Sequence, residues 1–173
     1  MKKKMIAPIL AGLSVLMIVV MLIPMFQPFF ETTIMVKGED GKRKKEDVVI
    51  SLNEYVWFPE KYNNLPDAYE DLTGWEFVIN YEVTMPALVL VLGIALSIFA
   101  LVKHQSIIGP LSALGLGAYS AYGFATSAFL QMGLNWQTNW YLSLATAIVG
   151  GICVALYFLP DVLKKLAEKK AAA

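Results

Sequence analysis

Residues 85–102, 107–130 and 140–159 contain no Asp, Glu, Lys, Arg or His, and a fourth apolar run, 5–26, follows Lys2, Lys3 and Lys4. Each run is about as long as a helix that crosses a hydrocarbon core of roughly 30 Å. Lipid offers the backbone no hydrogen-bond partner, so such a run is expected to fold as a helix that satisfies its own amides. The chain is therefore read as a mainly α membrane protein, a bundle of four transmembrane helices with a small strand-rich extracellular segment between helices 1 and 2. The segmentation places a cytoplasmic N-terminus at 1–4, spans at 5–27, 85–103, 107–130 and 140–160, an extracellular β-rich segment at 28–84, and a cytoplasmic tail at 161–173.

Composition agrees: 57% of the 173 residues are hydrophobic and 16% charged, too apolar for an ordinary soluble domain. The first run begins like a signal peptide, but no small-residue cleavage site follows in 27–31, so it is expected to be a retained anchor.

The formal net charge of zero hides a strong segregation. Residues 31–82 carry six Lys/Arg against twelve Asp/Glu, a net of minus six, and the remainder is plus six. With four crossings, Lys2–Lys4, Lys103 and the tail lysines 164, 165, 169 and 170 all fall on one side, which the positive-inside tendency assigns to the cytoplasm. The uncharged connection 131–139 falls on the other side, with Trp136, Trp140 and Tyr141 as interfacial anchors.

The single cysteine, Cys153, lies within an apolar run, so one chain can form no disulfide framework. The outer segment also lacks an N-x-S/T sequon. A plasma membrane location, in a bacterial inner membrane, is the plainer expectation.

Within the outer segment, 32–36 and 47–52 have strand-like patterns joined through Gly38-Glu39-Asp40-Gly41, which predicts a hairpin. A helical turn is expected after Asn64, and a third strand over 75–84 leading into the second span, with Pro86 near its start.

Gly109, Ala113, Gly117, Ala121 and Ala125 recur every four residues, and Ser143, Ala147, Gly151 and Ala155 do the same in the last run. Small-xxx-small stripes let helix backbones approach closely in lipid, so these two helices are expected to pack together. A short loop joins them, which favours packing within one chain over packing between copies.

Tyr119, Ser120 and Tyr122 mark a candidate polar path, although hydroxyl groups on such a helix also serve as bonds to neighbouring backbone. His104 beside Lys103 reads as a solvated flank. Asp67, Glu70 and Asp71 stand at helical spacing and would offer oxygen ligands to Ca²⁺, but the alternating acidic loop of an EF-hand is missing and no metal site is assigned. The basic run 42–45 is flanked by acids and lies outside, which speaks against nucleic acid. Tyr55, Trp57 and Phe58 are the outer residues best suited to contact a partner, aromatics being enriched at interfaces; they are equally good material for a small core.

No G-x-S-x-G, H-E-x-x-H or P-loop is present, so no catalytic residue and no cofactor is assigned. Four spans, cytoplasmic termini, a strand-rich first outer loop and a short second one resemble the claudin and peripheral-myelin-protein layout. The likeness implies a sheet on top of a left-handed four-helix bundle. The W-x-x-W-C-C-like stretch of claudins has no counterpart around Trp57, so no functional residue is carried over. The function expected is non-enzymatic association, with membrane lipid around the helices and with other membrane chains or copies of itself. A transporter or channel component is the alternative, and an outer ligand or metal sensor a weaker one.

Overall fold

The computed structural model describes residues 3–37, 42–57 and 81–171. The chain is mainly helical, with a small two-stranded sheet and three helices long and apolar enough to span a membrane. Helix α1 (Lys3–Leu22) runs into a 3-10 turn (Ile23–Phe26), followed by β1 (Pro28–Lys37), β2 (Arg43–Ser51) and the short α2 (Leu52–Trp57). Then come α3 (Tyr81–Val102), α4 (Ile108–Thr126), the single turn α5 (Ala128–Gln131) and α6 (Trp136–Ala171). The three span-length helices are α1 with its 3-10 turn, α3 from Thr84, and α6. Helix α4 is as long, 19 residues without a charge, but its glycines, serines and tyrosines make it less apolar.

The helices share one packing period. Buried positions step alternately by four and three: 7, 11, 14, 18, 21 and 25 from α1 into the 3-10 turn; 86, 90, 93, 97 and 100 in α3; 109, 113, 116, 120 and 123 in α4; and 139, 143, 146, 150 and 153 in α6. Seven residues per two turns is the repeat of helices packed as in left-handed bundles. Helix α4 lies antiparallel to α6 and also packs on α1 and α3.

β1 and β2 pair antiparallel, from Pro28 with Ser51 to Lys37 with Arg43. The register slips between Pro28 and Phe30, so Phe29 is an extra residue in its strand. A regular strand points successive side chains to opposite faces; this bulge lets both Phe29 and Phe30 enter the core. They join Met25, Phe124, Phe129 and Leu130 and seat the sheet on one end of the bundle.

Three sequence expectations change. Residues 81–84 are helical rather than strand, continuing α3 backward; 75–80 lie outside the described residues, as does the turn expected after Asn64. Pro86 consequently stands in the second turn of the helix. The run 107–130 is not one helix: Ser127 is extended (φ −82°, ψ 115°) and its hydroxyl accepts the Leu130 amide at 3.1 Å, capping α5. The last helix begins at Trp136 and continues through Pro160 to Ala171, which makes it 36 residues long.

Candidate functional site

The small residues of α4 and α6 meet, but not along the predicted lines. A β-carbon on Gly117 would overlap the backbone of Ala147 and Ser143, and one on Gly150 the backbone of Ala113 and Leu114. Gly109 faces elsewhere, with Ala11 of α1 and Ala100 of α3 within 3.2 and 3.3 Å of where its β-carbon would stand. Ala113, Ala121 and Ala147 are buried, whereas Ala125 and Ala155 are exposed and Gly151 is only half-buried, meeting the Leu114 side chain. A four-residue step advances about 400°, so a stripe of fours drifts by about 40° per step and leaves the interface. Gly150, not Gly151, is the glycine that lies against the α4 backbone.

Inside this seam runs a set of small polar groups. The hydroxyls of Ser120 and Ser143 bond to each other across α4 and α6 at 2.8 Å, both side chains fully buried. The Thr146 hydroxyl reaches the carbonyls of Leu142 at 2.7 Å and Met17 at 3.2 Å, tying α6 to α1. Ser14 donates to the Leu10 carbonyl at 2.7 Å, and Cys153 is buried. Two buried polar atoms, Ser97 Oγ and Asn139 Oδ1, have no hydrogen-bond partner among the described residues. Leaving a buried hydroxyl or amide oxygen unpaired costs about 1–3 kcal/mol, which makes them the two points where this interior calls for a water.

The predicted polar path does not converge. Ser120 is taken up by Ser143, Tyr119 is half-buried against the core, and Tyr122 points outward with 63% of its surface exposed. Of the three outer aromatics, Trp57 is exposed (51%), Tyr55 is described in its backbone only, within α2, and Phe58 lies outside the described residues, as do Asp67, Glu70 and Asp71. Among the described residues no group of three His, Cys, Asp or Glu stands close enough to hold a metal ion.

The sheet end of the molecule is held by contacts that sequence reading passed over. The Phe29 ring rests on Gly133, where a β-carbon would collide with it. The Leu134 amide donates to the Phe29 carbonyl at 2.7 Å, and Asn135 Nδ2 donates to the Pro28 carbonyl at 2.7 Å. Ser51 and Glu54 form a reciprocal capping box at the start of α2: Ser51 Oγ accepts the Glu54 amide at 3.1 Å and Glu54 Oε2 accepts the Ser51 amide at 3.0 Å. The Ser-x-x-Glu spacing carries that signal in the sequence; the bulge and the Gly133 contact have none.

At the opposite end, Lys3 Nζ contacts Asp161 Oδ2 at 2.7 Å and sits 4.2 Å from the centre of the Tyr157 ring. Tyr157 in turn donates to the Gln105 carbonyl at 3.3 Å. The start of α1, the α3–α4 turn that carries Lys103 and His104, and the far part of α6 thus gather at one end, with the sheet at the other. Compared with family models, with curated proteins and with solved structures, the chain matches none.

Proposed function

We propose that the chain is a four-span protein of the plasma membrane, in a bacterial cell the inner membrane, with both termini cytoplasmic, and that it works without catalysis by associating with another membrane chain or a second copy of itself. Helix α4 is the fourth crossing in this reading. Its 19 residues reach about 28 Å at 1.5 Å per residue, and it packs alongside α1, α3 and α6 at the same depth. The gathering of Lys3, Lys103 and Lys164 away from the sheet supports the orientation.

The observation that carries association is the anchored outer end. Ile50, Leu52 and Val56 are buried, yet Val49 and Trp57 on the same two elements are exposed at 49% and 51%. An apolar residue on an element fixed by its other face is preorganised for contact, and a tryptophan is the side chain that most often dominates such a contact. The α4–α6 seam, by contrast, is closed by glycine contacts and the Ser120–Ser143 bond.

The test is native mass spectrometry of the protein extracted gently from its own membrane. A defined oligomer or a constant co-purifying chain, lost on Trp57→Ala, is the expected result; a monomer without partners sinks the reading. Ser97 and Asn139 favour a second reading, a component of a transport path, because they leave polar atoms unpaired inside the bundle. Reconstituted liposomes that show no solute or ion flux dispose of it.

A further inference from the structure

Helix α6 outruns the bundle. From Asp161 to Ala171 every residue is exposed and still helical, and beyond the Asp161–Lys3 pair no hydrogen bond or ion pair ties this stretch to a neighbouring element among the described residues. A few turns of helix are marginal in water without packing.

Its sequence is sorted by face. At about 100° per residue, Asp161 and Glu168 fall on one line, and Leu159, Val162, Leu163 and Leu166 on the opposite one. Lys165 and Lys169 stand on one border between them, and Lys164 on the other side closer to the acidic line, its Nζ 3.9 Å from Glu168 Oε1; Lys170 alone falls within the apolar line, in the last turn. Lysines on the borders of an apolar face are placed to lay their methylenes on lipid and raise their ammonium groups to phosphate. Four lysines against two acids leave this stretch net positive, and Lys4 and Lys103 stand exposed at the same end of the bundle.

The direction of the faces is set by the rest of the fold. Asp161 meets Lys3, so the acidic line looks toward α1 and the apolar line away from the bundle. That apolar line continues the exposed outer face of the span, through Ile148, Ile152 and Leu159. A helix that runs down through a bilayer with its outer face apolar, and then tilts outward, turns that same face up against the membrane. The pivot is present: Pro160 has no N–H to donate to the Leu156 carbonyl, which weakens the ladder where the bundle ends.

We propose that Asp161–Ala171 is a membrane-surface element that binds anionic phospholipid, tilting outward at Pro160 to set Val162, Leu163 and Leu166 among the headgroups while Lys164, Lys165 and Lys169 hold phosphate. The inference rests on the membrane reading above, and the two fail separately in the following experiment. Full-length protein carrying Cys153→Ala and a single labelling cysteine, Ile152→Cys or Leu166→Cys, bears an environment-sensitive fluorophore. It is placed in nanodiscs of phosphatidylcholine alone or mixed with phosphatidylglycerol, and quenching by aqueous iodide is measured.

The expected result is a label at 152 shielded in both discs and a label at 166 shielded only with phosphatidylglycerol. Lysine-to-glutamine changes at 164, 165 and 169 re-expose the second label, each shifting the docked-to-free ratio about fivefold, the equivalent of about 1 kcal/mol per charge near an anionic surface. A label at 166 that is equally open, or equally shielded, in the two discs overturns the lipid proposal while the shielded label at 152 leaves the membrane reading standing. An open label at 152 overturns both.

Discussion

Gly117 lies so close to Ala147 that a β-carbon on Gly117 would overlap the Ala147 amide nitrogen. Gly150 bears the same relation to Leu114, whereas Gly115, two residues before Gly117 on α4 and about 200° round the helix, has nothing within 4 Å of where its β-carbon would be. The three glycines therefore differ in what they permit. Gly117→Ala and Gly150→Ala are expected to push α4 and α6 apart and to cost about 1–3 kcal/mol, the usual range for overpacking. Gly115→Ala is expected to be neutral or slightly stabilising. Thermal unfolding of the three variants in one detergent checks this; a Gly117→Ala protein as stable as Gly115→Ala would mean that α4 and α6 do not meet here.

The Ser120–Ser143 bond joins two helices through fully buried hydroxyls. Hydrogen bonds between transmembrane helices average about 0.6 kcal/mol in double-mutant cycles, because the unfolded chain in the membrane also finds partners. A cycle of Ser120→Ala, Ser143→Ala and the double variant, read by reversible denaturant unfolding in mixed micelles, is expected to give a coupling of about that size. A coupling indistinguishable from zero removes the bond from the account.

Phe29 is fully buried, and its bulge, its ring contact with Gly133 and its carbonyl bond to Leu134 together attach the sheet to the bundle. Phe29→Ala is expected to cost about 3–5 kcal/mol as a cavity-forming change. Its signature is local: amide exchange over 127–135 and β1 should quicken while the lysine end of the bundle keeps its protection. Uniform loosening of all helices contradicts a local anchoring role.

The Ser51–Glu54 box holds the first turn of α2, which is only six residues long. Ser51→Ala is expected to cost about 1 kcal/mol, and Glu54→Gln much less, since glutamine can return the same bond. Hydrogen exchange of the α2 amides measures both; equal loss in the two variants argues that the carboxylate acts elsewhere.

Much of the architecture was legible in the residues. Uncharged apolar runs placed the four long helices, and the patterns at 32–36 and 47–52 fell in the two strands that pair, except that Leu52 opens α2. The interruption at Ser127 was not read, because serine within an apolar run looks like any small residue until its hydroxyl is seen capping the next turn. The strand expected over 75–84 gives way at Tyr81–Thr84 to helix, because the helix of the second span extends back over those residues.

The sequence by itself determined how many long helices form, roughly where they lie, and which ends carry lysine, because charge and apolar length are local properties of a chain. It also held the small residues that let α4 and α6 approach. Which of those small residues touch was decided only in the tertiary structure. Packing selects the 3.5-residue period that keeps a seam facing its partners, so Gly150 replaces Gly151, Ala125 and Ala155 turn outward, and Ser97, Thr146 and Asn139 enter an interior that the four-residue stripes did not include. The seat of the sheet was decided there too, since Phe29 reaches Gly133 across about a hundred residues of chain, a distance over which no local spacing carries information.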